Sequence, residues 1–337
     1  MESLSFANFM QEWLYGEGGY YKKARVGKCG DFYTSVSVGR FFGYCIGFYL
    51  SGILSGKKGR AAIVEIGAEK GDLIADIAEF FTLFENGLNC DFVTLEPFVS
   101  LQELQKERFK SRLGRELVCV GDFRILREKN YDFVIFVNNE LLDAFPCELV
   151  CGDKMAFVKK VESKFYLEFQ KASDEVLKVA KRLNLQKSEI PLSAFSFINS
   201  LASVAREWLF LGFDYGSLES RGEFSLRLYN NHKVESLFDK AQCRAELLEC
   251  FKKTDLTYDV NFSLWRAAFL RAGAKEIFLK HQNRALVDMG LDKACELYIE
   301  KFGLESYMKH TSKIRHLISP GGFGERFFGF CYGVVES

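Results

Sequence analysis

The stretch Ala61-Ala-Ile-Val-Glu-Ile-Gly-Ala-Glu-Lys-Gly-Asp-Leu73 restricts the possible folds of this chain more than any other. Ala61 to Ile66 is apolar and β-branched, follows a Gly-Lys-Lys-Gly break, and predicts a buried parallel strand. Leu73, Ile74, Ile77, Phe80, Phe81 and Phe84 then recur at helical spacing and predict a helix with one broad apolar face. Gly67 and Gly71 place a tight turn between the two. Such a strand–turn–helix opens nucleotide-binding α/β domains, because glycine lets the backbone approach a ligand and the helix N-terminus faces it. An ordinary βα connection has the same pattern, so the turn alone leaves both readings open.

The next three strands favour the ligand-binding reading. Asp91-Phe-Val-Thr-Leu-Glu96 is a second apolar strand ending in an acid, and a carboxylate there suits ribose hydroxyls, which donate hydrogen bonds to it. Glu116 to Asp122 predicts a third strand ending in Gly-Asp, and Tyr131 to Asn138 a fourth. All four polar ends lie on the carboxyl side of their strands, where open α/β sheets bind ligands.

Two motifs carry a resemblance: Glu65-Ile-Gly-Ala-x-x-Gly-x-Leu73 and Asn139-Glu140-Leu-Leu-Asp143-Ala-Phe-Pro146. Gly30-Asp-Phe-Tyr-Thr-Ser35, Asp214-Tyr-Gly216, Leu226 to His232, Asp255 to Phe262 and Gly324-Glu-Arg-Phe327 add to it in the same order along the chain. Together they resemble the MidA-like S-adenosylmethionine-dependent methyltransferases, whose mitochondrial members are protein arginine methyltransferases needed for respiratory complex I assembly. The resemblance runs from about Gly19 to the C-terminus. It implies an α/β fold with a Rossmann-like class I methyltransferase sheet and helices on both faces. It also implies S-adenosylmethionine as cofactor and a protein substrate, such as a respiratory complex I subunit. In that family the Gly30-Asp31…Thr34 segment forms part of the cofactor and substrate pocket.

Methyl transfer from a sulfonium is an in-line displacement that needs positioning and a nucleophile with a free lone pair. A guanidinium keeps its charge and delocalises its lone pairs, so carboxylates are needed to orient the fork and accept a proton. Glu140 and Asp143 are the candidates; if a helix starts there, their spacing puts them on one face. Asn139 adds an amide that can donate or accept. Glu65, Gly67, Gly71, Glu96 and Asp122 are the cofactor candidates, with Glu96 on the ribose and Asp122 on the adenine amino group. Asp214 to Gly216, Arg227, Tyr229 and His232 match the family's pocket. Asp255, Thr257 and Asp259 read equally well as helix caps. Two positions depart from the family. Glu69 stands where a third glycine is usual, and Val36-Ser37 replaces Pro-Glu. A carboxylate at 69 is expected to compete with the cofactor's own, unless it swings to solvent or pairs with Lys70.

Composition removes several function classes. Lysine plus arginine and aspartate plus glutamate both number 45, so the chain lacks the basic face that nonspecific nucleic-acid binding needs. The ten cysteines form no Cys-x-x-Cys pair, and Cys147 and Cys151 have no nearby histidine for zinc; free thiols in a reducing cytoplasm are expected. The longest apolar run, Phe41 to Leu54, falls short of a bilayer span and predicts a buried helix, with Gly39, Gly43 and Gly47 allowing close helix approach.

In chain order, residues 1–58 predict a helical lead-in with Leu4, Phe6, Phe9, Trp13 and Leu14 inward, then a glycine-rich loop. Residues 59–146, 194–216 and 263–337 are assigned to the methyltransferase core. Residues 147–193, an antiparallel meander plus a helix, and 217–262 are assigned to inserted substrate-binding segments. A helix over 234–252, one over 284–316 and a closing strand or hairpin over 324–335 complete the reading. Two other functions fit the residues: a catalytically weak assembly factor on this fold, and a small-molecule methyltransferase.

Overall fold

A computed structural model describes residues 3–23, 34–85, 90–161, 164–230, 233–238 and 250–335. Gly30, Asp31 and His232 lie outside the described residues. The first strands are β1 (Ser3–Ser5), β2 (Ala61–Ile66), β3 (Cys90–Leu95), β4 (Val118–Val120) and β5 (Phe133–Asn139). Next come β6 (Glu148–Cys151), β7 (Lys154–Val161), β8 (Lys164–Lys171), β9 (Lys187–Ile190) and β10 (Glu207–Ser217). The last are β11 (Arg227–Asn230), β12 (Lys233–Ser236), β13 (Asp255–Thr257), β14 (Val260–Asn261), β15 (Lys275–His281) and β16 (Phe327–Val334). Helices α1 (Phe6–Leu14), α2 (Tyr20–Lys23), α3 (Ser35–Val38), α4 (Phe41–Ser55) and α5 (Asp72–Phe84) come first. They are followed by α6 (Val99–Leu113), α7 (Phe123–Arg127), α8 (Asp174–Arg182) and α9 (Ser193–Ala202).

The chain divides into two compact units, each built from three segments. The larger contains Tyr33–Leu141, Ile198–Tyr215 and Phe269–Ser337. Its sheet has the strand order β15-β16-β10-β5-β2-β3-β4. From β4 to β10 the strands are parallel, and β16 runs antiparallel to both its neighbours. This is the class I methyltransferase sheet that the family resemblance implied, and its parallel strands are the apolar runs expected to be buried. Ile63, Ile135, Val137, Leu209, Leu211 and Phe213 face a core that includes α4 and α5, as the continuous β-branched runs require of strands buried on both faces. On the other face Phe136 meets Phe123 of α7, and Phe210 meets Phe269.

Close packing of α4 on α5 fixes the helix that starts beside the site. A Cβ on Gly43 would lie 2.4 Å from Asp76 Cβ, and one on Gly47 would lie 2.9 Å from Phe80. The four-residue glycine spacing therefore works as expected at these two positions. Gly39 precedes the helix and instead faces Lys313. Residues 284–316 are not one helix. Gly290 and Gly303, at φ 90° and 81°, divide them, and the segments are Gln282–Asp288, Leu291–Phe302, Leu304–Met308 and Thr311–Ile318. The closing element is a single strand, β16, with no hairpin.

The smaller unit contains Met1–Phe32, Leu142–Phe197 and Gly216–Ala268. The expected meander is present: β7 pairs antiparallel with β8 and β6, and β9 extends the sheet on β6. The lead-in helix starts later than expected. Ser5 caps α1, and residues 3–5 pair with β7, so Leu4 is 41% exposed and not inward. Phe6, Phe9, Met10, Trp13 and Leu14 are buried, and Trp13 Nε1 donates to the Thr254 carbonyl at 2.8 Å. The glycine-rich loop contains the short helix α2, and Lys233–Ser236 is a strand on β11 where a helix was expected.

Candidate active site

The site in the larger unit begins where β2 ends. Gly67, Glu69 and Gly71 have φ of 71°, 44° and 78°, so three of five consecutive residues are left-handed and the chain reverses into α5. Gly71 caps α5 and has no side chain to offer the helix amides. Glu65 supplies the acceptor instead: its Oε2 accepts from Ile74 N at 2.9 Å. Burial is the main reason its carboxyl is pushed up to about 8, with the Ile74 amide opposing. Glu65 thus holds the start of the helix.

Glu96 follows β3 and is buried. Its Oε1 accepts from Phe98 N at 2.9 Å and its Oε2 from Gln105 Nε2 at 3.4 Å. Burial raises its pKa above the ordinary carboxylate range. Gln105, on α6, also donates from Nε2 to the Glu69 carbonyl at 3.1 Å. One amide nitrogen therefore ties the strained turn to the acid that ends the next strand. Both neighbours are acceptors, which fixes the orientation of the amide. Glu69 points outward: its side chain is 68% exposed and lies 3.5 Å from Lys70. Asp122 caps α7, accepting from Arg124 N at 2.8 Å and Ile125 N at 3.1 Å, while its other oxygen pairs with Arg124. The Arg124 guanidinium holds its carboxyl below the ordinary range.

At the carboxyl end of β5, Asn139 Nδ2 donates to Glu140 Oε1 at 3.0 Å. Glu140 has φ 53°, and its backbone N donates to the Phe213 carbonyl at 2.8 Å. Asp214, fully buried, accepts from Leu141 N at 3.1 Å and Tyr215 N at 2.9 Å, and so fixes the turn that carries Glu140. No helix starts at Glu140; a 3-10 turn over Leu142–Ala144 follows it, which removes the basis for placing Glu140 and Asp143 on one helix face. Asp143 is buried in the smaller unit, where its carbonyl accepts from Tyr258 N at 3.2 Å.

Thr34 accepts from Ser37 N at 3.2 Å and Ser37 Oγ accepts from Thr34 N at 2.8 Å, a capping box on α3. The hydroxyl of Ser37 thus takes the position three residues past the cap, where an acid is usual. In the smaller unit Asp255 and Thr257 belong to β13 and do not cap a helix; Asp255 accepts from the Tyr21 hydroxyl at 3.0 Å. Asp259 pairs with Arg221 and Arg227.

The model of a protein family described as S-adenosyl-L-methionine-dependent methyltransferase matches residues 49–277, two thirds of the chain. The chain belongs to the MidA-like methyltransferases. This MidA-like methyltransferase is 32% identical to the human mitochondrial protein arginine methyltransferase NDUFAF7 over 96% of its own length and 78% of the relative's. The zebrafish (Danio rerio) protein of the same name is 24% identical over 96% of this chain and 82% of its own. A Burkholderia thailandensis crystal structure with bound S-adenosyl-homocysteine has the same fold, with a TM-score of 0.81 at 19% identity, covering 98% of this chain and 88% of that one.

S-adenosylmethionine is the cofactor, and the residues of the larger unit fit it. The turn at Gly67 and Gly71 leaves room for backbone approach, and the α5 N-terminus suits a carboxylate. Glu96 keeps lone pairs for hydroxyl donors. Gln105 Oε1, Asn138 Oδ1 and Asn139 Oδ1 are buried and meet no donor among the described residues, a state that a polar ligand relieves. Sequence reasoning missed Gln105 and Asn138. Gln105 sits on a helix with little amphipathic signal, and its partners lie 36 and 9 residues away along the chain. Asn138 lay at the end of a predicted strand, and its polar character was the available signal.

Proposed function

We propose that this MidA-like methyltransferase transfers a methyl group from S-adenosylmethionine to an arginine of a protein partner, with a respiratory complex I subunit as the candidate class. The observation that carries the reading is the Asn139–Glu140 pair at the carboxyl end of β5. Bound cofactor supplies an electrophilic methyl group. Glu96 would hold the ribose and the Gly67–Gly71 turn the methionine end, with Thr34 in the same pocket and Asp122 at the adenine if it releases Arg124. Glu140 would accept guanidinium N–H donors and hold the positive charge on the nitrogens it contacts, leaving electron density on the other nitrogen to be methylated; the N–H proton lost on transfer passes to a carboxylate, and the cofactor leaves as S-adenosylhomocysteine. Asn139 orients Glu140 through its amide. Asp143 is proposed as the second acid, on its place in the Asn139–Pro146 motif. The NDUFAF7 names of the relatives support the arginine and complex I parts of this reading. Residues 147–193 and 217–262 are proposed as substrate-recognising segments. The eight described cysteines are free thiols, in keeping with a reducing compartment.

The test uses labelled cofactor and a protein extract, followed by acid hydrolysis and separation of methylated amino acids. Wild type is expected to place label in methylarginine. Glu140→Gln is expected to lower turnover by about 100-fold, the scale of one positioned acid–base group, with S-adenosylhomocysteine affinity unchanged. Label confined to methyl-lysine, or full turnover in Glu140→Gln, would sink the reading. Absent heat of S-adenosylhomocysteine binding would favour an assembly factor.

A further inference from the structure

A row of lysines crosses the meander sheet of the smaller unit from edge to edge. Cys151 on β6 lies directly opposite Lys154 on β7 and Lys187 on β9, and Lys154 lies opposite Lys171 on β8. Directly paired residues share a sheet face, and adjacent strands are about 4.8 Å apart. The face therefore carries the order Lys187, Cys151, Lys154, Lys171. Cys151, Lys154 and Lys171 are exposed and Lys187 is half-buried. None of the three lysines forms an ion pair among the described residues. Like charges directly opposite one another, as at Lys154 and Lys171, destabilise a sheet unless an anion lies over them.

Beside this row are three stacked rings. Phe169 and Phe224 stack at 6.1 Å and 18°, and Phe224 and Phe238 at 5.0 Å and 15°. Lys187 Nζ lies 5.0 Å from the Phe224 ring centre. Cys151, Lys154, Phe169, Lys187, Phe224 and Phe238 line a groove of about 270 Å³. Phe169 is 37% exposed.

We infer that this face docks an acidic segment bearing aromatic side chains, supplied by a protein partner. The carboxylates meet the lysine row and the aromatic side chains extend the phenylalanine stack. Charge complementarity selects the occupant: three ammonium groups outside any described ion pair are available to carboxylates, and phenylalanine rings line the groove beside them. A nucleic acid needs a broader basic face than three lysines in a chain of zero net charge. The site lies within the segments proposed above to recognise the substrate and deepens that part of the methyl-transfer reading, on which it rests; it involves none of the residues assigned to cofactor or catalysis.

The test uses the full chain and a labelled synthetic peptide of alternating glutamate and phenylalanine, with fluorescence anisotropy as readout. A row variant, Lys154→Glu/Lys171→Glu/Lys187→Glu, is compared with a control, Lys178→Glu/Lys181→Glu/Arg182→Glu, which makes the same charge change on α8. The row variant is expected to lose at least about tenfold in affinity and the control less than about twofold. Wild-type binding is expected to weaken with salt, as screened charges require, and Phe169→Ser to weaken it at high salt as well. Equal losses in row and control variants, no binding by wild type, or tighter binding of an oligouridylate than of the peptide would each overturn the proposal. S-adenosylhomocysteine titration of the same proteins is the separate readout for the methyltransferase site, and the row variant is expected to bind it as wild type does.

Discussion

Glu65 carries the clearest pH signature at the residue scale. Its folded-state pKa is about 8 against an ordinary 4.5, so the folded chain keeps a proton that the unfolded chain has lost between those values. The stability this contributes is complete below about pH 4.5 and is lost as pH rises through 8. Glu65→Gln is neutral throughout and still accepts from Ile74. The variant is expected to match wild type near pH 5 and to exceed it near pH 8, by on the order of 3 kcal/mol in urea unfolding. Asp76, pushed up to about 6 by burial, titrates in both proteins, and its charge adds a minor push to Glu65 in the wild type alone. A constant difference from pH 5 to 8 would mean that Glu65 is charged in the folded state. Glu69 differs, because its carboxylate is outward and the competition foreseen from sequence is removed. Its remaining cost is the left-handed backbone, so Glu69→Gly is expected to raise stability by roughly 0.5–1 kcal/mol. S-adenosylhomocysteine affinity in near-physiological salt is expected to stay within about twofold. A large gain in affinity that fades with salt would show that the charge reaches the ligand. Glu65, Glu96 and the turn glycines stood out in the sequence through their place at strand ends. It could not reveal that Glu65 bonds a helix amide or that Asp122 caps α7, because both roles depend on how the helix begins.

At the scale of elements, the approach of α4 to α5 determines where the α5 N-terminus stands. Gly43→Val would force branched carbon into Asp76 and is expected to cost about 2–3 kcal/mol through overpacking. Gly52, which faces open space, is the control, and Gly52→Ala is expected to be neutral or stabilising. Thermal unfolding by circular dichroism checks both; a Gly43→Val variant as stable as Gly52→Ala would mean that helix propensity governs and the close approach to Asp76 does not. This contact was legible in the glycine spacing. The divided helix of 282–318 was less so, since Gly290 and Gly303 mark breaks only when the backbone turns left-handed there. The strand at 233–236 was misread because its pattern is polar and its pairing with β11 is not a local property.

On the scale of the whole molecule, a ligand that binds only the native state stabilises it by mass action. S-adenosylhomocysteine at about 100 times its dissociation constant is expected to add about 2.7 kcal/mol, read as a rise in melting temperature. No shift at millimolar ligand would contradict the cofactor assignment. The strands of the larger unit's sheet were legible because buried strands are continuous apolar runs, whereas β1, β9 and β11 to β14, short or polar, were not. Strand order was not, because it is decided by pairings between distant segments. The position of β16 shows this best: it lies between β10 and β15 although it is the last strand in sequence. A ribosome makes β10 and β15 long before Val334, and until then the edge that β16 will occupy on β10 is open. Its backbone groups and Leu209, Leu211 and Phe213 have no neighbour strand on that side during synthesis. The sheet therefore closes only once residues 327–334 have been made, and until then the nascent chain carries an unpaired strand edge on β10.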